Sequence, residues 1–324
     1  MQRKTKCRRR FVRCVAAAGL GAALIPGCED SVADRRGKTV PARIIDTHTH
    51  FYDPARPQGV PWPPKNEPKL YRTVLPRDYR AVPVSRHADA TVVVEASEWV
   101  EDNQWILDLA ANDPFLVGLV GNLPVGKEEF PALLKRLAAN PRFRGIRLHE
   151  PAFRKALGDP TALAHLKLLP RYDLEFDANV GGATLPEVAR IAKEISDLRI
   201  VVNHIANVRI DGRDVPEAWR RGMAAAAACR NVCCKFSGIV EGSGRRDGSA
   251  PHDVDFYRKV LDIVWAEFGE DRLIYGSDWP VCELFASLET VQSLALDYVG
   301  AHGGKALEKV FWKNAVKVYK CGST

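Results

Sequence analysis

Two histidines, His48 and His50, stand two residues apart where the apolar run Arg43–Thr47 ends, with Asp46 just before them. Residues i and i+2 of a strand point to the same side, so both imidazoles can face one site. A third histidine, His204, closes the run Arg199–His204, and Asp278 follows Leu273–Ser277 where that run stops. Three imidazoles and a carboxylate are ligands suited to one divalent ion, Zn²⁺ first and Mn²⁺ second. A metal-bound water whose pKa is lowered to about 7 would be the nucleophile, with Asp278 accepting its proton and passing it to a leaving group and His204 assisting. The same four residues could also orient and deprotonate water without a metal.

Further polar residues fall on the same strand ends. Arg147 and His149 alternate on Gly145–His149 and would face one side, as substrate contacts, with a further metal ligand as the alternative for His149. The planar guanidinium of Arg147 offers a two-point clamp for a substrate carboxylate or a polarised carbonyl, and an ion pair with Asp177 or Glu150 is the structural alternative. Lys235, on Asn231–Phe236, could neutralise an anionic substrate or pair inside the fold. Glu95, near the end of Thr91–Ala96, is a candidate buried carboxylate.

These residues need strands to present them, and the chain supplies eight apolar, β-branched runs: Arg43–Thr47, Thr91–Ala96, Leu116–Gly121, Gly145–His149, Leu174–Asn179, Arg199–His204, Asn231–Phe236 and Leu273–Ser277. Helical periodicity follows in Glu101–Asn112, Glu128–Ala139, Thr161–Leu169, Leu185–Ile195, Val215–Cys229, Phe256–Phe268, Leu288–Val299 and Ala306–Val318. Near-continuous apolar strands alternating with helices predict an α/β fold, a (β/α)8 TIM barrel in one domain over 41–324, with its active site at the C-terminal strand ends. The proline-rich stretch Phe51–Val84 reads as a long first βα loop. Glu241–Val254, with Gly242, Gly244, Gly248, Arg245 and Arg246, reads as a mobile lid or a solvated loop. With Glu98–Asn103, these loops would set specificity.

The formal charge of +7 is concentrated at the N-terminus. Residues 1–27 carry Arg3, Lys4, Lys6, Arg8, Arg9, Arg10 and Arg13 and no acid; removing these seven from 47 basic residues leaves 40, equal to the 40 acidic ones. The balanced remainder argues against a nucleic-acid partner. A basic segment followed by the short apolar stretch Val15–Ile25 predicts an export signal over 1–28. Arg8-Arg9-Arg10-Phe11-Val12-Arg13 is similar to a twin-arginine signal, and Ile25-Pro26-Gly27-Cys28 to a lipobox whose cysteine would carry the only membrane anchor, with ordinary signal cleavage as the alternative. Residues 29–40 read as a flexible tether. An exported chain is expected, periplasmic or membrane-anchored. Past the leader five cysteines remain, Cys229, Cys233, Cys234, Cys282 and Cys321, an odd set without a CxxC pair that reads as small buried hydrophobes.

Ile45-Asp46-Thr47-His48-Thr49-His50-Phe51, Val202-Asn203-His204 and Tyr275-Gly276-Ser277-Asp278-Trp279-Pro280-Val281 resemble the amidohydrolase-related family over 42–320. His50-Phe51-Tyr52-Asp53-Pro54 with Trp62-Pro63, and Cys234-Lys235-Phe236-Ser237-Gly238, resemble its lactonase-like branch of metal-dependent TIM-barrel hydrolases; the ending Lys313–Tyr319 is similar to the family's last helix. The resemblance implies hydrolysis of a lactone, ester or amide, a divalent metal in many members, decarboxylation in some relatives and metal-free catalysis in some lactonases. Larger members bridge two metals with a modified lysine or glutamate after strand four and add a histidine after strand five. Here those positions read Arg147-Leu148-His149-Glu150 and Phe176-Asp177-Ala178-Asn179, which favours one metal or none. A lactone hydrolase is therefore expected, acting on a small molecule, with a decarboxylase of the same fold or a non-catalytic ligand-binding lipoprotein as alternatives.

Overall fold

A computed structural model describes residues 32, 33 and 39–322. The expected signal over 1–28 lies outside the described residues, as does most of the expected tether, within which Val32–Ala33 pairs antiparallel with Thr39–Val40. Eight parallel strands follow: β1 Ile45–Thr49, β2 Ala90–Val94, β3 Leu116–Gly121, β4 Phe143–His149, β5 Glu175–Asn179, β6 Ile200–Val202, β7 Val232–Phe236 and β8 Leu273–Tyr275, in that spatial order. Each overlaps one of the predicted runs. The sheet curls until its edges meet: Thr47 Oγ1 donates to the Tyr275 carbonyl (2.7 Å), Asp278 N–H to the His48 carbonyl (2.9 Å) and His50 N–H to the Trp279 carbonyl (2.9 Å). The result is a near-closed eight-stranded parallel barrel with helices between its strands, consistent with a TIM barrel.

The helices differ from expectation where local chemistry overrides periodicity. Between β4 and β5 stand two helices, Glu150–Leu157 and Pro160–Leu166, where one was expected over Thr161–Leu169. Asp159 separates them, its carboxylate accepting from Thr161 N–H (2.8 Å) with Pro160 in the first turn. Val254–Arg272 outruns the predicted Phe256–Phe268 through a break at Gly269, whose φ of 61° is left-handed. The final helical stretch starts at Gly304 and passes through a π segment, Lys309–Lys313. Within the proline-rich loop, Pro76–Ala81 forms one short helix, and its Tyr79 hydroxyl donates to Asp46 Oδ2 (2.8 Å). That contact fastens the loop to the first strand.

The base of the barrel is apolar, with Ile45, Val92, Val94, Val120, Val201 and Ile274 packed against Ala315, Val318 and Tyr319 of the last helix. In register with Val201 and Ile274 of that base lies a buried polar pair. Lys235 Nζ stands 2.6 Å from Asp177 Oδ2, and both side chains are fully buried. Asn203 Nδ2 donates to the same oxygen (2.9 Å), and the Tyr319 hydroxyl donates to Asp177 Oδ1 (3.1 Å). Breaking such a pair leaves an uncompensated charge in low dielectric, which costs about 3–5 kcal/mol. Asp177→Ala should lower the free energy of urea unfolding by that order, and Asp177→Leu combined with Lys235→Met should recover much of it; equal losses in the single and double variants would refute the pairing as the cause.

Candidate active site

The barrel brings His48, His50, His204 and Asp278 together at its C-terminal end. Asp278 Oδ1 lies 3.2 Å from His50 Nε2, 3.5 Å from His48 Nε2 and 3.8 Å from His204 Nε2, and all four side chains are buried. His48 belongs to β1 and His50 follows it directly. The other two depend on unusual backbone. The sixth strand was expected to reach His204 but ends at Val202, and His204, Ile205, Ala206 and Asn207 all take left-handed φ values of 51°, 43°, 58° and 50°. Asp278 is left-handed too, at φ 62°. Each such non-glycine residue costs roughly 1–2 kcal/mol, a strain typical of functional sites. Surrounding bonds hold the His204 turn in place: Asn203 N–H donates to the Ala178 carbonyl (3.0 Å) and Trp219 Nε1–H to the Ile205 carbonyl (2.8 Å).

The far nitrogens of the imidazoles orient the near ones. His50 Nδ1 is 2.9 Å from the Val94 carbonyl, which can only accept, so Nδ1 carries the proton. The lone pair of a neutral His50 Nε2 then faces the carboxylate oxygen of Asp278, an arrangement that calls for a proton or a cation between them. His204 Nδ1 is 3.0 Å from Ser237 Oγ, which likewise directs Nε2 inward. Burial lowers the pKa of His204 to about 4, against the opposing pull of Asp278. Burial, reinforced by the charge of Lys235, holds His48 well below the usual imidazole range. Neutral imidazole is the ligating form. Burial tends to raise the Asp278 carboxyl, but His204, His50 and Arg147 outweigh it and hold it below its ordinary value. The ligand atoms of His48, His204 and Asp278 lie within 4.8 Å of one another. This donor set fits a divalent metal ion, with His50 against the same carboxylate oxygen.

A cavity of about 750 Å³ opens above these residues, its wall including His50, Trp62, Glu95, Arg147, His149, His204 and Asp278. Arg147 reaches it, but its two-donor edge is already engaged: Nε donates to Glu95 Oε1 (2.8 Å) and Nη2 to the Glu95 carbonyl (2.7 Å), while Nη1 lies 3.3 Å from His48 Nε2. The expected clamp on a substrate carboxylate is therefore not free, and the partner is Glu95 rather than Asp177 or Glu150. Burial tends to raise the Glu95 carboxyl, yet Arg147 and His149 pull it below its ordinary value. His149, half exposed in the cavity wall, also faces Glu95 Oε1 through Nε2 (3.1 Å) and stands outside the ligand cluster. Lys235 does not reach the cavity. Strand register sets it level with Ile274 of the barrel base, where it serves Asp177 and approaches His48 Nδ1 at 3.3 Å, so its expected contact with substrate is replaced by a structural one.

The sequence pattern missed Glu241. Both of its carboxyl oxygens are buried without a hydrogen-bond partner, in the wall of the same cavity. Burial, and then the charge of Asp278, push its pKa well above the usual carboxylate range. The one signal available was its place five residues past the end of β7, on the catalytic face. The expected lid is pinned by backbone bonds from Gly248 N–H to the Leu284 carbonyl (3.1 Å) and from Ala250 N–H to the Phe285 carbonyl (3.0 Å). Arg246 bridges it to the first loop through Glu67 (2.7 Å).

A near-closed parallel barrel with histidines and an aspartate converging at its C-terminal end suits a hydrolase able to hold a metal ion, and comparison with known proteins makes the class specific. The amidohydrolase family model matches residues 45–321, and the chain belongs to that family. It is 36% identical over 244 residues to an L-fucono-1,5-lactonase of Burkholderia ambifaria, covering 74% of this chain and 81% of that protein. An L-fucono-1,5-lactonase of Burkholderia multivorans is 28% identical over 277 residues, covering 83% and 92%. A crystal structure of an amidohydrolase from Burkholderia multivorans with bound zinc superposes with a TM-score of 0.78 at 25% identity, covering 86% of this chain and 100% of that one. A dihydroxybenzoic acid decarboxylase from Polaromonas with bound manganese shares the fold alone, at a TM-score of 0.58 and 13% identity over 87% of this chain and 98% of that one. The chain is an amidohydrolase-related hydrolase.

Gly238, at φ 68°, keeps this site open: a Cβ there would lie 2.5 Å from the Cβ of His204. Gly238→Ala should displace His204 and lower metal content and turnover together by at least about tenfold, as any misplacement of a catalytic group does. Metal analysis beside kinetics checks it, and an unchanged variant would show that His204 tolerates the shift.

Proposed function

We propose that this chain is an exported, single-metal hydrolase that opens a small lactone, a hydroxylated 1,5-lactone first among them. The observation that carries the reading is the convergence of three imidazoles on Asp278 Oδ1 within 3.2–3.8 Å at the floor of a cavity of about 750 Å³. Cavities of that order hold small molecules. The lactonases at 36% and 28% identity support the choice of carbonyl.

Zn²⁺, the favoured ion ahead of Mn²⁺, would supply an activated water with a pKa near about 7 and polarise the lactone carbonyl. His48, His204 and Asp278 would hold it, with His50 completing the set. Asp278, kept ionised by its neighbours, takes a proton from the attacking water. As the carbonyl carbon gains the water oxygen, its bond to the ring oxygen breaks, and Asp278 returns the proton to that leaving oxygen, giving a hydroxy acid. His204, oriented by Ser237, would fix the position of the water through the ion it ligates. Arg147, which lines the cavity and lies 3.3 Å from His48 Nε2 through Nη1, would place positive charge near the carbonyl oxygen as negative charge develops there. The cations Arg147 and Lys235 flank His48, which favours one divalent ion over two. The two-donor edge of Arg147, which could hold the departing carboxylate in a decarboxylase, is taken by Glu95. His149 is left to touch the substrate from the wall.

Residues 1–28 are read as a twin-arginine signal ending in a lipobox, followed by a tether to a periplasmic or membrane-anchored enzyme. Among the described residues no helix is long and apolar enough to cross a membrane. The membrane anchor proposed is an acyl group on Cys28.

Protein purified without chelator should hold about one zinc per chain by plasma mass spectrometry; His48→Ala with His50→Ala should lose it, and absence of metal from active wild-type protein would favour base-activated water instead. The wild-type enzyme should open hydroxylated 1,5-lactones, and Asp278→Asn should lower kcat by about 10²–10⁴-fold with circular dichroism unchanged. Turnover retained in that variant would remove Asp278 from its role. Cys28→Ala should move the protein from the membrane fraction to the soluble fraction of its host, and an unchanged distribution would refute lipidation.

A further inference from the structure

We propose that Glu241 determines specificity, its carboxyl group hydrogen-bonding a hydroxyl on the substrate ring and so selecting hydroxylated lactones over bare ones. This inference rests on the lactone reading above and assigns it a residue. Both carboxyl oxygens of Glu241 are buried without a partner, and the side chain lines the cavity together with His50, Trp62 and Asp278. Leaving a buried polar group unpaired costs about 1–3 kcal/mol, so each such group calls for an explanation.

The rest of the wall shows why Glu241 stands apart. Among the described residues, the other buried side-chain atoms without partners belong to Arg56, Arg144, Glu175, Asn203 and Tyr275, none of which lines this cavity. Its polar neighbours are engaged with one another: Glu95 with Arg147 and His149, and Asn207 Nδ2 with Asn179 Oδ1 (2.9 Å). Glu241 also cannot turn away to find a partner by shifting its backbone. It lies in the short helix Ile239–Gly242, fixed by Gly242 N–H donating to the Gly238 carbonyl (3.1 Å) and Ile210 N–H to the Gly242 carbonyl (2.8 Å). A Cβ added at Gly242 would lie 2.9 Å from the Val208 carbonyl oxygen, which shows how closely this turn sits on the segment after β6. A carboxyl group beside a substrate cavity, with no hydrogen-bond partner in the protein, is satisfied by a neutral hydroxyl once its side chain turns toward that cavity. A site built to hydrogen-bond a hydroxyl discriminates strongly against the analogue that lacks it, because its own polar group is then left unpaired.

The test compares wild-type enzyme, Glu241→Gln and Glu241→Leu on an aldono-1,5-lactone and on δ-valerolactone, which has the same ring without hydroxyls. Binding of the matching unreactive hydroxylated δ-lactam and of δ-valerolactam is measured in parallel by calorimetry. Loss of one such hydrogen bond should cut kcat/KM of Glu241→Leu on the hydroxylated lactone by about 10- to 100-fold, leave δ-valerolactone within about threefold, and be largely rescued in Glu241→Gln. Equal losses on both lactones, or no loss on either, would overturn the proposal. If wild-type enzyme opens neither lactone, the lactone reading fails on its own, and the lactams still decide the contact: affinity lost in Glu241→Leu for the hydroxylated lactam alone upholds it, and unchanged affinity refutes it.

Discussion

The buried carboxylate of Asp46 ties the seam of the barrel together. Its Oδ1 accepts from Ser277 N–H (2.9 Å) and His48 N–H (3.1 Å), and its Oδ2 accepts from the Tyr79 hydroxyl (2.8 Å). One side chain thus joins the first strand, the segment after the last strand and the long first loop, at the level where His48 and Asp278 emerge. A barrel must close where its first and last strands meet, and here β8 is only three residues long. Closure therefore depends on bonds beyond the strand, and Asp46 supplies one of them, from Ser277. Burial raises its pKa despite these donors, a measure of how completely it is removed from water.

From that seam the site is built outward in layers that depend on one another. The Asp177–Lys235 pair fills the interior below His48, and the Glu95–Arg147 pair stands beside it. Each pair neutralises a charge that the barrel could not otherwise bury. Burial first, and then the charge of Lys235 with a smaller push from Arg147, hold the His48 imidazole neutral. The structural ion pairs and the ligand set are thus electrostatically one unit, and a change in either pair reaches the metal-binding face.

The sequence pattern revealed the fold through its eight apolar runs, because strands covered on both faces leave little freedom in composition. His48, His50, His204 and Asp278 could be read for the same reason: a polar residue ending such a run is conspicuous. What stayed hidden depends on reach across strands. Whether Arg147 pairs with Asp177 or Glu95 is decided by side-chain direction from β4 towards β2, and the depth of Lys235 by a register that sets it beside Ile274. The helix Glu150–Leu157 buries only Phe153 and Ala156, too few apolar positions for periodicity to show. Glu241 sat in a glycine-rich stretch where pattern carries no information on burial. The left-handed turn at His204 was invisible because no glycine marks it.

The five cysteines after residue 28 are free, four buried and Cys233 half-buried. Burial raises the thiols of Cys233 and Cys321 to about 11 and those of Cys234 and Cys282 further still. Thiolate is the form that forms and exchanges disulfides, so burial disfavours oxidation of these four thiols in the folded barrel, while unfolding would expose them. On the proposed twin-arginine route the barrel forms in a reducing compartment before it meets an oxidising one. The order of folding and transport would then protect the protein from mispaired disulfides, with no need for a bridge of its own.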